Sequence, residues 1–307
     1  MPALKTVISD ADARHLLDNR WGPVTQFTRL SGGESTQAFG IDTGTDRLVL
    51  RVNRRFTYEK DAMLARRYAS ASIPVPAVLA TGTNNGFHWA VSRLAWGRLL
   101  STLAPGAVRR LVPDLIQVLG AVHCADIAGT SGYGNFDHEG RAQFGSWRVA
   151  VLNHDALVNW DHFSAIAPER VGRLVRSARD QVDRLIVVCP EYRVLTHGDI
   201  LLDNLLGEDD RITAVIDWSD ARFGDPLWDV ARCDFWQPGL DIVGAYLAVW
   251  GNRRELSRRA RERILCYQLL IAANAVGFFV HTDQLGKLGE LPDRTDTLLR
   301  EARRVPT

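Results

Sequence analysis

Lysine is nearly missing from this chain. Of its 37 basic residues 34 are Arg and 3 are Lys, a bias that reflects genome composition and carries no function of its own. Cysteine is also scarce. Cys124, Cys189, Cys233 and Cys266 lie far apart, with no Cys-x-x-Cys pair, which argues against a disulfide scaffold or a zinc ribbon. No run of about 18 uncharged apolar residues occurs. The nearest approach, 264–280, is interrupted by Asn274 and Gly277. No basic block stands out and the formal net charge is +1, so a nucleic-acid binder is not expected. Met1 to Lys5 run straight into Asp10, Asp12 and Arg14 without an apolar signal-type stretch, so the expected setting is reduced and cytoplasmic, with no membrane partner. Repeats and low-complexity tracts are absent as well.

What is there is an ordinary folding composition, 46% hydrophobic and 24% charged, in a length that suits one large or two smaller domains. A helix is expected over 9–20, with Ser9 or Asp10 as N-cap. Strands follow at 24–30, 36–42 and 47–53, the last two joined by Thr43-Gly44-Thr45-Asp46. In the third, Leu48, Leu50 and Val52 alternate with Arg47, Val49 and Arg51, as in a half-buried strand. A charged helix is expected over about 57–70, then an extended Ile73-Pro74-Val75-Pro76, then a strand over 87–93. Beyond Trp96-Gly97 the periodicity turns helical: 106–125, 165–186, 241–250, 255–277 and 293–304. Short strands at 192–196 and 212–217 flank a polar loop. The expected organisation is a β-rich lobe over 1–97 and a mainly helical lobe over 98–307.

The polar loop carries the chemistry. It reads His197-Gly198-Asp199-Ile200-Leu201-Leu202-Asp203-Asn204, and Ile216-Asp217-Trp218 follows, with Asp217 13 residues beyond Asn204. Phosphoryl transfer needs an aspartate to orient or take the proton of the attacking hydroxyl. It also needs oxygen ligands to hold Mg²⁺ against the phosphates. Asn204 and Asp217 are hard oxygen donors of that type. A lone Asp-x4-Asn would be read as a solvated acidic loop; the His-Gly-Asp head and the strand-borne Asp217 favour the chemical reading.

With Gly224-Asp225-Pro226-x2-Asp229-x-Ala231 added, this set resembles the aminoglycoside phosphotransferase family. Leu48–Asn53, Ala69-Ser70-Ala71, Thr130-Ser131-Gly132 and Arg211–Ser219 match one branch of it. The resemblance covers about residues 25–240. It implies an α+β, two-lobed protein-kinase-like fold, with a small β-rich nucleotide-binding lobe and a larger helical catalytic and substrate-binding lobe. It implies Asp199 as catalytic base, Asn204 and Asp217 as Mg²⁺ ligands, and ATP or GTP as donor. His197 would brace the loop, and Asp225 and Asp229 would brace the loop and the helix after it. Arg51 stands where most kinase-like enzymes have lysine, and Asp61 where they have glutamate. The planar guanidinium fork would meet phosphate differently from an ammonium. Ser31-Gly32-Gly33 sits where a phosphate-covering hairpin would lie. The adenine is expected near Val91 to Leu94, at Ser92 and Arg93.

The implied activity is transfer of a γ-phosphate to a hydroxyl of an aminoglycoside-like antibiotic. A nucleoside or cyclic-peptide antibiotic, a small metabolite, or a kinase-fold binder without turnover are the alternatives. Between Thr196 and Leu240 there are ten acids and three bases, a surplus suited to a cationic small-molecule substrate. Asp220, Asp234 and Trp236 are the candidate substrate contacts, Asp220 being equally readable as surface charge. For any one of the nine tryptophans core packing is the more ordinary fate.

Overall fold

The structure, a computed structural model, describes residues 6–17, 21–30, 36–153, 158, 160–252 and 254–305. In chain order the elements are α1 (Asp10–His15), β1 (Gln26–Leu30), β2 (Gln37–Asp42), β3 (Arg47–Asn53), α2 (Glu59–Tyr68), β4 (Val78–Asn84), β5 (Phe87–Arg93) and β6 (Arg98–Leu99). Then come α3 (Pro105–His123), β7 (Tyr133–Phe136), β8 (Ala142–Phe144), α4 (Trp147–Leu152), α5 (Trp160–Ile166), α6 (Glu169–Leu185), β9 (Val194–Thr196), β10 (Leu205–Glu208) and β11 (Arg211–Val215). The chain continues through β12 (Arg222–Gly224), α7 (Leu227–Trp236), α8 (Ile242–Trp250), α9 (Arg254–Ser257), α10 (Ala260–His281) and α11 (Leu291–Ala302).

These elements form two compact units. The first holds residues up to Leu111 together with 137–139 and 202–219; the second holds 112–136, 140–201 and 220 onward. The chain thus stays in the first unit well past Gly97, and the physical reason is strand pairing. β6 pairs antiparallel with β10, which pairs with β11. Gly97, at φ +102°, lies so close to the Gly207 carbonyl and the Thr213 hydroxyl that a Cβ there would overlap both. The Thr213 hydroxyl also donates to the Trp96 carbonyl. Asn204 and Asp217 therefore belong to the first unit, and Asp199 to the second.

The first unit is built on an antiparallel sheet in the order β1-β2-β3-β5-β4. Leu48, Leu50 and Val52 are buried on one face of β3, as the alternation requires. They pack with Phe39, Ile41 and Val91, and with Ile8, Ala13 and Leu16 from the α1 segment. Ser9 caps α1 by accepting from the Asp12 amide at 3.0 Å. That helix ends at His15, short of the expected 20. Strand β4 is absent from the sequence expectation. It pairs with β5 across Asn85 and Gly86, both at positive φ, the Asn-Gly tight-turn signal.

The second unit is mostly helical around α10, which packs against α6, α7 and α11. α10 is 22 residues long and apolar enough to cross a membrane, yet most of its apolar window is buried in this unit, as a core helix should be. It starts later than the expected 255 because Arg259 adopts positive φ and separates it from α9. Trp147, Trp228 and Tyr267 form a buried aromatic cluster beside it, with the Trp147 indole donating to the Tyr267 hydroxyl at 2.8 Å. A small sheet, β8-β7-β12-β9, completes the unit.

Candidate active site

Strand β9 delivers the chain to His197, and Gly198 turns it. Gly198 sits at φ +82°, and the Asp220 carbonyl occupies the space a Cβ would need. Any side chain there would meet both a strained backbone and a backbone wall. Asp229, fully buried in the first turn of α7, accepts from the amides of His197 and Gly198, each at 2.8 Å. Its carboxylate also meets His123 Nε2 at 3.1 Å, and His123 Nδ1 meets the Tyr246 hydroxyl at 2.8 Å. Burial drives the Asp229 carboxyl up, but the His123 contact, the charge of the histidines and the amide donors outweigh it and hold it below the ordinary value. His197 is itself buried, and its Nδ1 accepts from the Asp199 amide at 3.2 Å.

The next layer of acids is bound to arginines. Asp199 Oδ1 accepts from Arg232 Nε at 2.7 Å and Nη2 at 2.5 Å. Burial opposes the Arg232 charge, yet the Asp199 carboxylate prevails and raises the guanidinium above its usual value. Asp225 is gripped by Arg263, whose Nε and Nη2 reach Oδ2 and Oδ1 at 2.9 and 2.5 Å, and by the Tyr267 hydroxyl at 2.7 Å. Both members of that pair are wholly inaccessible. Asp229 therefore braces the loop from α7, and Asp225 ties the start of α7 to α10. Three of the ten acids counted over 196–240, Asp199, Asp225 and Asp229, are thus engaged by arginine or by buried donors.

In the first unit Arg51 and Asp61 meet at 2.7 Å, so the shorter acid and longer base do span the gap. The Arg51 guanidinium also lies over the Tyr58 ring, 4.8 Å from its centroid. Burial works against its charge, but Asp61, Tyr58 and Asp217 raise it above the ordinary value. Asn204 closes a helical turn before β10, and its carbonyl accepts from the Ile216 amide at 2.9 Å, tying the two ends of the β10–β11 hairpin. Asp217 follows β11 at φ +60°, a conformation aspartate tolerates better than most residues. Its Oδ1 accepts from the Ser219 hydroxyl at 2.9 Å. Lys60 of α2 donates to the Ser219 carbonyl at 3.0 Å, fastening the helix that bears Asp61 to the segment that bears Asp217.

The donor chemistry of Asn204 and Asp217, one amide oxygen and one carboxylate, fits Mg²⁺. That ion takes one or two protein ligands and completes its shell with phosphate and water. Among the described residues no cluster of three or more His, Cys, Asp or Glu offers an all-protein cage instead.

The remaining expected residues lie as follows. Ser31, Gly32 and Gly33 fall outside the described residues. Ser92 and Arg93 are in β5; the Arg93 and Leu94 amides already donate to the Ala77 and Arg47 carbonyls within the sheet, each at 2.9 Å. Those two donors are thus taken up by the sheet and unavailable to an adenine. The Arg93 side chain pairs with Asp46, and the buried Ser92 hydroxyl has no hydrogen-bond partner among the described residues. Asp220 is half exposed beside Arg222. Asp234 accepts from Gln268 at 3.0 Å; burial raises its carboxyl above the ordinary value, only partly offset by that donor. Trp236 has a buried indole N–H without a partner among the described residues. Trp147, Trp218 and Trp228 are core residues. Tyr58, Lys60, His123 and Arg232 were not singled out from the sequence. Lys60 had a signal, being one of three lysines in an arginine-rich chain.

Known proteins match this arrangement. The profile of the phosphotransferase enzyme family, APH, matches residues 26–263. The chain is 32% identical over 271 residues to hygromycin-B 4-O-kinase of Escherichia coli, covering 87% of this chain and 78% of the relative. It is 23% identical to an aminoglycoside 3′-phosphotransferase of Escherichia coli over 83% of this chain and 93% of the relative. A crystal structure of a thermostable mutant of aminoglycoside phosphotransferase APH(4)-Ia, in ternary complex with AMP-PNP and hygromycin B, matches with a TM-score of 0.82 and 30% identity, over 95% of this chain and 99% of that one. Another APH(4)-Ia structure matches with a TM-score of 0.83 at 29% identity, over 95% and 99%. The fold is the α+β kinase-like fold of those structures.

Proposed function

The chain belongs to the phosphotransferase enzyme family, and on that premise we propose that it transfers the γ-phosphoryl group of ATP or GTP to a hydroxyl of an aminoglycoside antibiotic of the hygromycin B type, in the presence of Mg²⁺. The observation that carries this reading is the Asp199 loop, fixed from beneath by Asp229 and held at its carboxylate by Arg232. The relative at 32% identity is named for the same reaction class on hygromycin B. The joint presence of Asp199, Asn204 and Asp217 supports turnover over mere binding.

In the proposed reaction Asp199 accepts a hydrogen bond from the acceptor hydroxyl and orients its oxygen. The transition state is loose, so the proton moves late. As the new P–O bond forms and the bond to the nucleoside diphosphate breaks, the hydroxyl proton passes to Asp199 and from there to water. Arg51, held by Asp61 and lying over the Tyr58 ring, would supply a fixed positive charge to the donor phosphates. Asn204 and Asp217 hold Mg²⁺, which when bound neutralises charge on the phosphate oxygens. The nucleotide requirement supports action in the cytoplasm, and no disulfide joins the four cysteines.

The test is nucleoside diphosphate release by the purified protein, with ATP or GTP, across hygromycin B, other aminoglycosides, a nucleoside antibiotic, a cyclic-peptide antibiotic and amino alcohols. Turnover on hygromycin B with a mass gain of one phosphate is the expected result. Turnover only on another member of the panel moves the substrate. Nucleotide binding with no acceptor turnover on any of them replaces the enzyme with a binder.

A further inference from the structure

Phosphoryl transfer asks for a carboxylate at Asp199; it does not ask for a guanidinium beside it. Arg232 nevertheless directs two N–H groups at a single oxygen, Oδ1, from 2.7 and 2.5 Å. A carboxylate oxygen offers about two acceptor directions in its plane, and both are then engaged. The fork is rigid and planar, so it fixes the plane of the carboxylate as well as its place. Both side chains are about four-fifths removed from solvent. Arg232 also lies three residues after Asp229 on α7, hence on the same face one turn on. One helix face thus grips the loop twice, at the His197 and Gly198 amides through Asp229 and at the Asp199 side chain through Arg232.

We propose that Arg232 is a positioning residue that fixes the plane of the Asp199 carboxylate through Oδ1 and so sets the direction from which the acceptor hydroxyl is received. The assignment rests on Asp199 being the group that receives the hydroxyl proton. It makes Arg232 part of the definition of where an acceptor can sit, because a hydroxyl approaching from the Oδ1 side meets a guanidinium. Lysine, a point donor on a flexible stem, can neutralise Asp199 without fixing its plane.

The experiment is a double-mutant cycle on the full chain: wild type, Arg232→Ala, Asp199→Asn and the double variant, with Arg232→Lys alongside. Three quantities are read: turnover with hygromycin B, acceptor-free nucleotide hydrolysis, and thermal unfolding. A lost pair of charge-assisted bonds predicts that Arg232→Ala lowers kcat about 10- to 100-fold, with nucleotide KM nearly unchanged. Arg232→Lys falls between, and added guanidinium ion restores part of the Arg232→Ala rate. In the Asp199→Asn background, Arg232→Ala costs almost nothing further. Equal losses in both backgrounds, or a loss that follows the melting temperature and resists guanidinium, make Arg232 a structural residue and overturn the proposal. If wild type turns over no acceptor, the antibiotic reading fails by itself. The hydrolysis and unfolding cycles still decide on Arg232, and absence of coupling to Asp199 in both overturns it.

Discussion

The motif residues of the two units are held in different ways, although the first unit also has an arginine-bound acid of its own, Asp61. In the first unit Asp217 is set by a positive φ and a hydroxyl, and Asn204 by the hairpin it closes. A hydroxyl and a backbone hydrogen bond are among the contacts that orient them, and the Arg51 charge also acts on Asp217. In the second unit Asp199, Asp225 and Asp229 are held by Arg232, Arg263 and His123. A carboxylate gripped by a fixed cation is a poor metal ligand, yet it is well placed to orient a hydroxyl or to clamp a loop. Under the proposed reaction, the way an acid is held, more than its residue type, would separate the metal-binding acids from the positioning and bracing ones.

That contrast can be broken most sharply by comparing Asp217→Ala with Asp199→Asn. Asp199→Asn should lower kcat by about 10²–10⁴-fold with nucleotide affinity little changed. Asp217→Ala should also abolish turnover, but through loss of Mg²⁺-dependent nucleotide binding, read by titration calorimetry with and without Mg²⁺. The same pattern from both variants would erase the distinction.

The arginine pairs offer the second comparison. Arg263→Met leaves Asp225 buried and uncompensated, which should cost about 3–5 kcal/mol of unfolding free energy in a denaturant titration. Arg51→Met, at a partly open pair, should reduce nucleotide affinity with a much smaller loss of stability. If Arg263→Met unfolds no earlier than Arg51→Met, the interior clamp is not what holds the second unit.

Acid should act on the second unit through Asp229. Its carboxyl is depressed when folded, so the stability it contributes is present above the ordinary aspartate value near 3.8 and is lost as pH falls through the lower folded value. The gap in unfolding free energy between wild type and Asp229→Asn should therefore narrow as the solution is taken below about pH 4. A gap that stays constant would remove Asp229 from the acid response. The smallest effect concerns Asp234, whose carboxyl is raised by burial. A raised carboxyl is most favourable to the fold below its unfolded value and costs stability as pH rises through the folded one. Asp234→Asn should thus stabilise at neutral pH by on the order of 0.5 kcal/mol after solvent screening. A loss of stability would mean that its charge is needed by Gln268 or Arg294.

Much of the molecule was readable because the signals are local. The alternation of Leu48, Leu50 and Val52, the Thr43–Asp46 turn and the Ser9 cap each act within a few residues, and the structure shows each one. Six strands escaped, β4, β6, β7, β8, β10 and β12; of these, β4 and β10 carry Gly82 and Gly207 where alternation would be sought. Their turns, Asn85-Gly86 and Asp209-Asp210, were the better signal, and all four residues adopt positive φ.

The His-Gly-Asp head, its spacing to Asn204 and Asp217 and the family resemblance together marked Asp199, Asn204 and Asp217, because a loop and its hairpin are continuous chain and fix their own order. Partners are another matter. Arg232 lies 33 residues from Asp199, and Arg263 lies 38 from Asp225. Nothing in 34 arginines distinguishes those two until α7 and α10 are packed. Likewise the allocation of Asn204 and Asp217 to the first unit follows from β6 pairing with β10, a contact between distant segments. Local preference is set by each residue and its neighbours in the chain; the choice of counter-charge is set by which helix faces the fold brings together, and only tertiary packing makes that choice.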